Sequence, residues 1–318
     1  MLLTVLGLFL GLLGLYFGGE WLVKGASRLA RSLGISALIV GLTVVSIGTS
    51  MPELLVSVGA ALRGSADIAI GNVVGSNIAN IGLILGISGL IYPIGVHVTL
   101  LRREIPLMLA VIVIAYLMLL NGDVSRVDGV LLVAGMFGFI AFMIISARKE
   151  QQTEHDIPEE TTALEEVTGK RLYEVLRLFV GIAVLMVGAQ LTVENAISIA
   201  RTIGISELMI GVTLVAVGTS LPELVTSTMA AFRQESDIAI GNVIGSNIFN
   251  VLGILGTTAI IQPIQVSSQI RQFDGLVMIG FALLVIPFAA NRRLGRREAL
   301  LFLTAYVGYI AYSVINSL

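Results

Sequence analysis

The chain of 318 residues has no cysteine and only two histidines, and just 13% of its residues are charged. Without cysteine there is no disulfide and no thiol chemistry, and the redox compartment is unreadable. His97 and His155 fall in or beside expected loops, so they read as solvated surface residues. A soluble domain carries roughly 25% charged residues, about twice what is present. The net charge of −2 says little about partners. The opening run MLLTVLGLFLGLLGLYFGG lacks a basic n-region, so it reads as a first membrane helix and not a cleaved signal.

What is abundant is apolar sequence, at 56% of residues. Runs of more than about 18 apolar residues recur along the whole length, the mark of a polytopic membrane protein. Thirty-five glycines fit close helix packing in lipid.

The second half repeats the first at a constant offset of 170. Between Gly34 and Ile94, 35 of 61 positions are identical to their counterparts without a gap. This is internal duplication. The hydrophobic runs give five spans per half, near 2–22, 35–62, 68–92, 104–121 and 127–147, then 173–200, 205–232, 238–262, 274–290 and 298–316. The expected organisation is a first five-helix repeat at 1–147, a cytoplasmic linker at 148–172 and a second repeat at 173–318. The linker is acidic and lacks an apolar period, which predicts a solvated, mobile loop.

Five spans is an odd number, so the halves insert in opposite directions. With both termini outside, cytoplasmic segments hold 15 of the 19 basic residues, as the positive-inside rule requires. The expected fold is therefore all-α: ten transmembrane helices as two inverted five-helix repeats. Such repeats suit alternating access, with the site near the midplane where they meet.

VSIGTSMPELLVS, residues 45–57, is anomalous inside a span. Glu53 is the only charged residue from Ser32 to Leu62. Pro52 lacks an N–H and pushes on the Gly48 carbonyl, and it steers Met51 away from helical angles. The span should break near residues 46 to 51, freeing carbonyls that need a partner in lipid. Thr49 and Ser50 share a helix face with Glu53. The repeat supplies Thr219, Ser220, Pro222 and Glu223.

The next spans carry GNVVGSNIAN and GNVIGSNIFN. Asn72, Ser76 and Asn80 stand four apart, as do Asn242, Ser246 and Asn250, each set a polar stripe. Gly71, Gly75, Gly241 and Gly245 let another helix come close. Inverted symmetry would bring the motifs into one all-oxygen cage, which hard cations such as Ca²⁺ and Na⁺ prefer. Two glutamates carry −2, matched by one Ca²⁺ or two Na⁺. The bland alternatives are a protonated structural glutamate and stripes that serve only interhelical hydrogen bonds. Lys24 and Glu194, equivalent in the repeat and opposite in charge, read as interfacial or paired residues.

GTSxPE followed 23 residues later by the Ser of GNxxGSN, present twice, resembles the alpha repeats of the cation/calcium exchanger superfamily. Over nearly all its length the chain is similar to a prokaryotic sodium/calcium exchanger. The resemblance implies ten helices, with the second, third, seventh and eighth forming the ion site. It implies Glu53 and Glu223 as calcium carboxylates, with hydroxyl or backbone oxygen from Thr49, Ser50, Thr219 and Ser220. Ser76 and Ser246, with the carbonyls of Ser46 and Ala216, would line sodium sites, and Asn80 and Asn250 would complete the centre. Exchangers of this family often carry Asp where Asn250 stands. An amide offers an oxygen but cannot titrate, which leaves stoichiometry and counter-ion open.

The expected function is Ca²⁺/Na⁺ antiport by alternating access, with no cofactor, in a prokaryotic inner membrane. Helices 1 and 6, glycine-rich and read as uncharged, would slide over a fixed core without breaking ion pairs. H⁺- or K⁺-linked exchange on the same scaffold is the nearest alternative. A passive cation channel would not need ligand-dense broken helices. A hydrolase using Ser50 or Ser220 would lack a base. Partners are Ca²⁺, a monovalent cation and the bilayer, with no nucleic acid. Oligomeric state is not readable.

Overall fold

The computed structural model describes residues 2–155, 165–204, 218–289 and 291–317. Nearly all are helical, because lipid leaves backbone polar groups no partner but their own helix. The first repeat comprises α1 (Leu2–Leu33), α2 (Ala37–Thr49), α3 (Met51–Leu62), α4 (Ala66–Ile91), α5 (100–119) and α6 (Arg126–His155). The second comprises α7 (Glu165–Thr202), α8 (Leu221–Phe232), α9 (Ser236–Ile261), α10 (270–289) and α11 (Arg296–Ser317). Among the described residues seven helices are long and apolar enough to cross a membrane, and the bent pair α2–α3 makes an eighth span. α5 is not among these; its first turn carries Arg102, Arg103 and Glu104. α8 is the counterpart of α3; residues 205–217, which precede its break in the chain, lie outside the described residues. The molecule is an all-helical membrane protein of two five-span repeats, of which the described residues show seven to eight apolar spans.

Two short strand pairs reveal the inversion. β1 (Ile94–Gly95) pairs with β4 (Arg293–Leu294), and β2 (Asp123–Val124) pairs with β3 (Ile264–Gln265). The 170-residue offset converts one pairing into the other: Ile94↔Leu294 becomes Ile264↔Val124. Paired strands must share a side of the membrane. The loop after α4 therefore faces the same side as the loop before α11. Their repeat counterparts pair with each other on the opposite side. Hydrogen bonds agree: Arg296 reaches the Leu90 carbonyl at 3.1 Å on one side, and Tyr116 reaches the Arg271 carbonyl at 2.9 Å on the other.

Turn geometry survived the duplication better than turn sequence. Gly34 (φ 62°) and Gly204 (φ 84°) end α1 and α7 in the left-handed region, where glycine has no steric cost. Gly64 and Gly122 do the same, yet their counterparts Gln234 and Arg292 hold φ 61° without being glycine.

Helices 1 and 6 differ from the sequence expectation. α1 runs to Leu33 and α7 begins at Glu165, well beyond the apolar runs at 2–22 and 173–200. Polar residues that ended those runs are paired instead of solvated. Glu20 accepts from Lys24 and from Arg233, Ser27 donates to Glu235 at 2.6 Å, and Arg28 donates to Glu174 at 3.1 Å. The two helices pack backbone to backbone: a Cβ on Gly18 would lie 2.5 Å from the Leu185 nitrogen, and one on Gly188 2.6 Å from the Leu15 nitrogen. The idea of an uncharged pair sliding without breaking ion pairs is therefore corrected. Arg233 and Glu235 lie in the α8–α9 turn, so sliding must break the Glu20 and Ser27 contacts. The linker is also helical at both ends, since α6 reaches His155 and α7 starts at Glu165. Residues 156–164, its middle, lie outside the described residues.

α9 passes through the centre, with every residue from 238 to 250 buried. Its glycines make this possible. A Cβ on Gly241 would sit 3.0 Å from the Leu38 carbonyl, and one on Gly245 2.5 Å from the Leu42 carbonyl. α2 can lie against α9 only because both positions lack a side chain.

Candidate ion-binding site

The second span breaks at Ser50 (φ −85°, ψ 8°), and α2 and α3 meet at 43°. Met51 is helical, which corrects the expectation that it would leave helical angles. The reason is position: Pro52 sits in the first turn of a new helix, where an N–H has no intrahelical partner to lose. The restart places Glu53 in that first turn, where the helix dipole favours a carboxylate. Ser220 (φ −88°, ψ 10°) repeats the break, with Pro222 and Glu223 in the first turn of α8.

The two breaks meet. Ser50 Oγ donates to Glu223 Oε1 at 2.7 Å, and Ser220 Oγ donates to Glu53 Oε1 at 3.0 Å. Ser76 Oγ on α4 lies 3.5 Å from Ser220 Oγ. Thr49 donates to Asn242 Oδ1 at 3.0 Å. All of these side chains come from the residues singled out by motif, and both glutamates are 1% exposed.

Each carboxylate is only half used. Glu53 Oε2 and Glu223 Oε2 are buried with no hydrogen-bond partner among the described residues, as are Ser246 Oγ, Asn250 Oδ1 and both polar atoms of the Asn80 amide. A buried polar atom without a partner costs about 1–3 kcal/mol, more if charged. Each such atom calls for a reason, and a bound ion is one. The donor set is carboxylate, hydroxyl and amide oxygen, without sulfur or imidazole, which suits Ca²⁺ or Na⁺. Asn80 and Asn250 each open a π-helical turn, at Asn80–Leu85 and Asn250–Leu255, and such turns are frequent at functional sites.

The polar stripes divide by role. Asn72 gives its amide to the Glu53 carbonyl (3.1 Å) and Ser57 (2.9 Å), and Asn242 gives its own to the Glu223 carbonyl (3.4 Å) and Ser227 (2.9 Å). These asparagines brace the broken helices. Ser76 instead approaches Ser220, and Asn80, Ser246 and Asn250 are buried with polar atoms that have no partner among the described residues. The Ser46 carbonyl already accepts from the Ser50 N–H (3.1 Å), and Thr49 Oγ1 lies 3.3 Å from it as an alternative to its shorter bond to Asn242. Ala216 lies outside the described residues. Thr219 is half-buried where Thr49 is fully buried. It lines a cleft of about 570 Å³ with Pro52, Leu55, Gln190, Val193 and Glu194. Sequence reasoning missed Ser57 and Ser227, and also Asn77 and Asn247, which are buried with unpartnered amide oxygens. The signal was present: each is a polar residue kept at the 170-residue offset. Lys24 and Glu194 are paired, with Glu20 and Gln190 of their own helices.

The family model described as "Sodium/calcium exchanger protein" matches residues 3–145 and 173–315. The chain belongs to the sodium/calcium exchanger family. The two matched segments start 170 residues apart, the offset of the duplication. The chain is 38% identical over 269 residues to the inner membrane protein YrbG of Escherichia coli K12, covering 84% of this chain and 83% of that one. It is 34% identical over 298 residues to the sodium/calcium exchanger MaX1 of Methanosarcina acetivorans, covering 83% and 85%. Its fold matches the sodium–calcium exchanger NCX_Mj soaked with 10 mM Na⁺ and zero Ca²⁺, with a TM-score of 0.85, 35% identity and 98% of each chain covered. As a member of the exchanger family the protein is a membrane transporter of cations including Ca²⁺, not an enzyme. Its ions are cargo and no cofactor takes part.

Proposed function

We propose that the protein exchanges Ca²⁺ for Na⁺ by alternating access, using one site shared by Glu53 and Glu223. The observation that supports this best is the crossed pair of hydrogen bonds, Ser50 to Glu223 and Ser220 to Glu53, with one free oxygen on each carboxylate. Two carboxylates buried together without a cation are costly. One Ca²⁺ neutralises both, and so do two Na⁺, so either load satisfies the site and excludes the other. Ser76, Ser246, Asn80 and Asn250 supply the remaining oxygens, with Thr49, Thr219 and the Ser46 and Ala216 carbonyls as outer ligands.

The cleft at Thr219 is the route to one side of the membrane. It lies along the part of α7 distant from the linker, and Thr219 adjoins Ser220. Closing this cleft while opening the other face requires the α1–α7 pair to move against α8–α9, and the Glu20–Arg233 contact opposes that motion. The linker faces the cytoplasm and both termini face outward, because the linker side carries 15 of 19 basic residues. The membrane is a prokaryotic inner membrane, in keeping with the relatives above.

The test is flux. Vesicles loaded with Na⁺ take up radiolabelled Ca²⁺ from outside, and uptake falls when the Na⁺ gradient is collapsed. Uptake indifferent to Na⁺ but driven by a H⁺ or K⁺ gradient would assign the counter-ion to the alternative that the untitratable Asn250 leaves open.

A further inference from the structure

The duplication gives each part of the molecule a twin, and one pair of twins has diverged. Between α5 and α6 runs an apolar groove of about 500 Å³, with Arg103 at one end and Met118 at the other. Leu107, Val111 and Phe139 line it, and a Cβ on Gly138 would meet nothing within 4 Å. The equivalent place between α10 and α11 is narrowed by aromatic rings, although a Cβ on Gly308, the twin of Gly138, would likewise meet nothing within 4 Å. Phe273 stands for Arg103, Phe281 for Val111, Tyr309 for Phe139 and Tyr312 for Phe142. Phe273 packs on Tyr312 at 4.4 Å between ring centroids and stacks on Tyr309 at 6.3 Å. Crowding is so close that a Cβ on Gly82, the twin of Leu252, would fall 2.8 Å from both Phe281 and Tyr306. One twin crowds its groove with its own rings. The other leaves the groove open and puts a guanidinium where its twin has a phenyl ring.

Length and charge say what fits. Arg103 and Met118 are 15 positions apart on one helix, about 22 Å at 1.5 Å per residue. Half of a bilayer, headgroups included, is about 20–22 Å thick. Arg103 lies on the linker side, with exposed Arg102 beside it and exposed Arg148 at the end of α6. The Arg103 guanidinium lies 4.8 Å over the Phe142 ring and gives its Nε to Glu104. A guanidinium has five N–H donors and binds phosphate in a fork. We propose that this groove holds one acyl chain of an anionic phospholipid from the linker-side leaflet, with the phosphate on Arg103. Leu252 forms part of the wall two residues from Asn250, so the chain backs the π-helical turn at the centre of the molecule.

The full chain, purified in detergent, is mixed with equal phosphatidylglycerol and phosphatidylcholine, and bound lipid is counted by native mass spectrometry. Wild type retains one phosphatidylglycerol at least fivefold over phosphatidylcholine. Arg103→Gln brings that ratio close to one, and Gly138→Trp removes both lipids. Gly308→Trp, the same change on the twin helix, leaves retention as in wild type and controls for damage to the fold. Equal retention of the two lipids by wild type would overturn the proposal. So would unchanged retention in Arg103→Gln or Gly138→Trp, or an equal loss in Gly308→Trp.

Discussion

Ser50 donates its hydroxyl to Glu223 across 2.7 Å, although 173 residues separate them in the chain. Ser220 returns the bond to Glu53 at 3.0 Å. Each repeat's carboxylate is held by the other repeat's hydroxyl, so neither half contains a complete site. An ion that changes the separation of the two carboxylates changes the contact between the halves. That gives binding a direct mechanical connection to any rearrangement of the repeats.

The crossed bonds make the two serines near-equivalent. A hydrogen bond to a charged group contributes about 1.5–3 kcal/mol, which is roughly tenfold or more in affinity. Ser50→Ala and Ser220→Ala should each weaken Ca²⁺ binding by about tenfold, and by similar amounts. Calorimetric titration of both variants checks this. A strong effect from one and none from the other would break the symmetry on which the site rests.

Asn72 and Asn242 face the same helices as the site but brace the backbone. Asn242→Ala should remove the bonds to Ser227, to the Glu223 carbonyl and from Thr49, at a cost of about 1–3 kcal/mol. The expected result is a lowered thermal midpoint with the Na⁺/Ca²⁺ preference retained in whatever protein remains folded. Gly245→Ala should be worse, because its methyl would sit 2.5 Å from the Leu42 carbonyl. Thermal unfolding followed by size exclusion reads both.

Much of this was legible in the sequence because the chain is duplicated. A glutamate after proline in lipid is odd once; at positions 53 and 223 it is the reason to expect a site, and the structure brings each to the other repeat's serine. Inversion followed from the odd span count and the distribution of basic residues. What the sequence could not show was contact between helices: the pairing of Glu20 with Arg233 across the repeats, or the use of Asn72 as a brace within one. Both depend on which faces meet, and spacing along one helix carries no information about its neighbour. The break fell at Ser50 and not Met51 because helix restart, a cooperative property, decides where proline is tolerated.

Asn250 offers an amide oxygen that does not titrate. Asn250→Asp adds a third carboxylate, which is neutral when protonated and negative once it ionises. Ca²⁺ binding by this variant should therefore strengthen as pH rises, more steeply than in wild type, with little change in thermal stability. Binding isotherms across a pH series compare the two slopes.

The contact of Glu20 with Arg233 ties α1 to the α8–α9 turn. Partly exposed ion pairs contribute about 0.2–1 kcal/mol, enough to shift a balanced equilibrium severalfold. Arg233→Glu should change the exchange rate by that order, and the double variant Glu20→Arg/Arg233→Glu should restore it. Initial rates of Na⁺-driven Ca²⁺ uptake measure both. Failure of the double variant to recover would mean that Arg233 acts through another group.

The most direct measurement is Ca²⁺ titration of the purified protein at increasing Na⁺, for wild type, Glu53→Gln and Glu223→Gln. Removing one partner of a buried charged group costs about 3–5 kcal/mol, or two to three orders of magnitude in affinity. The expected result is one Ca²⁺ per chain in wild type, displaced by Na⁺, and loss of measurable binding in both variants. Binding that ignores Na⁺, or that survives in either glutamine variant, would contradict a single exchange site shared by the two glutamates.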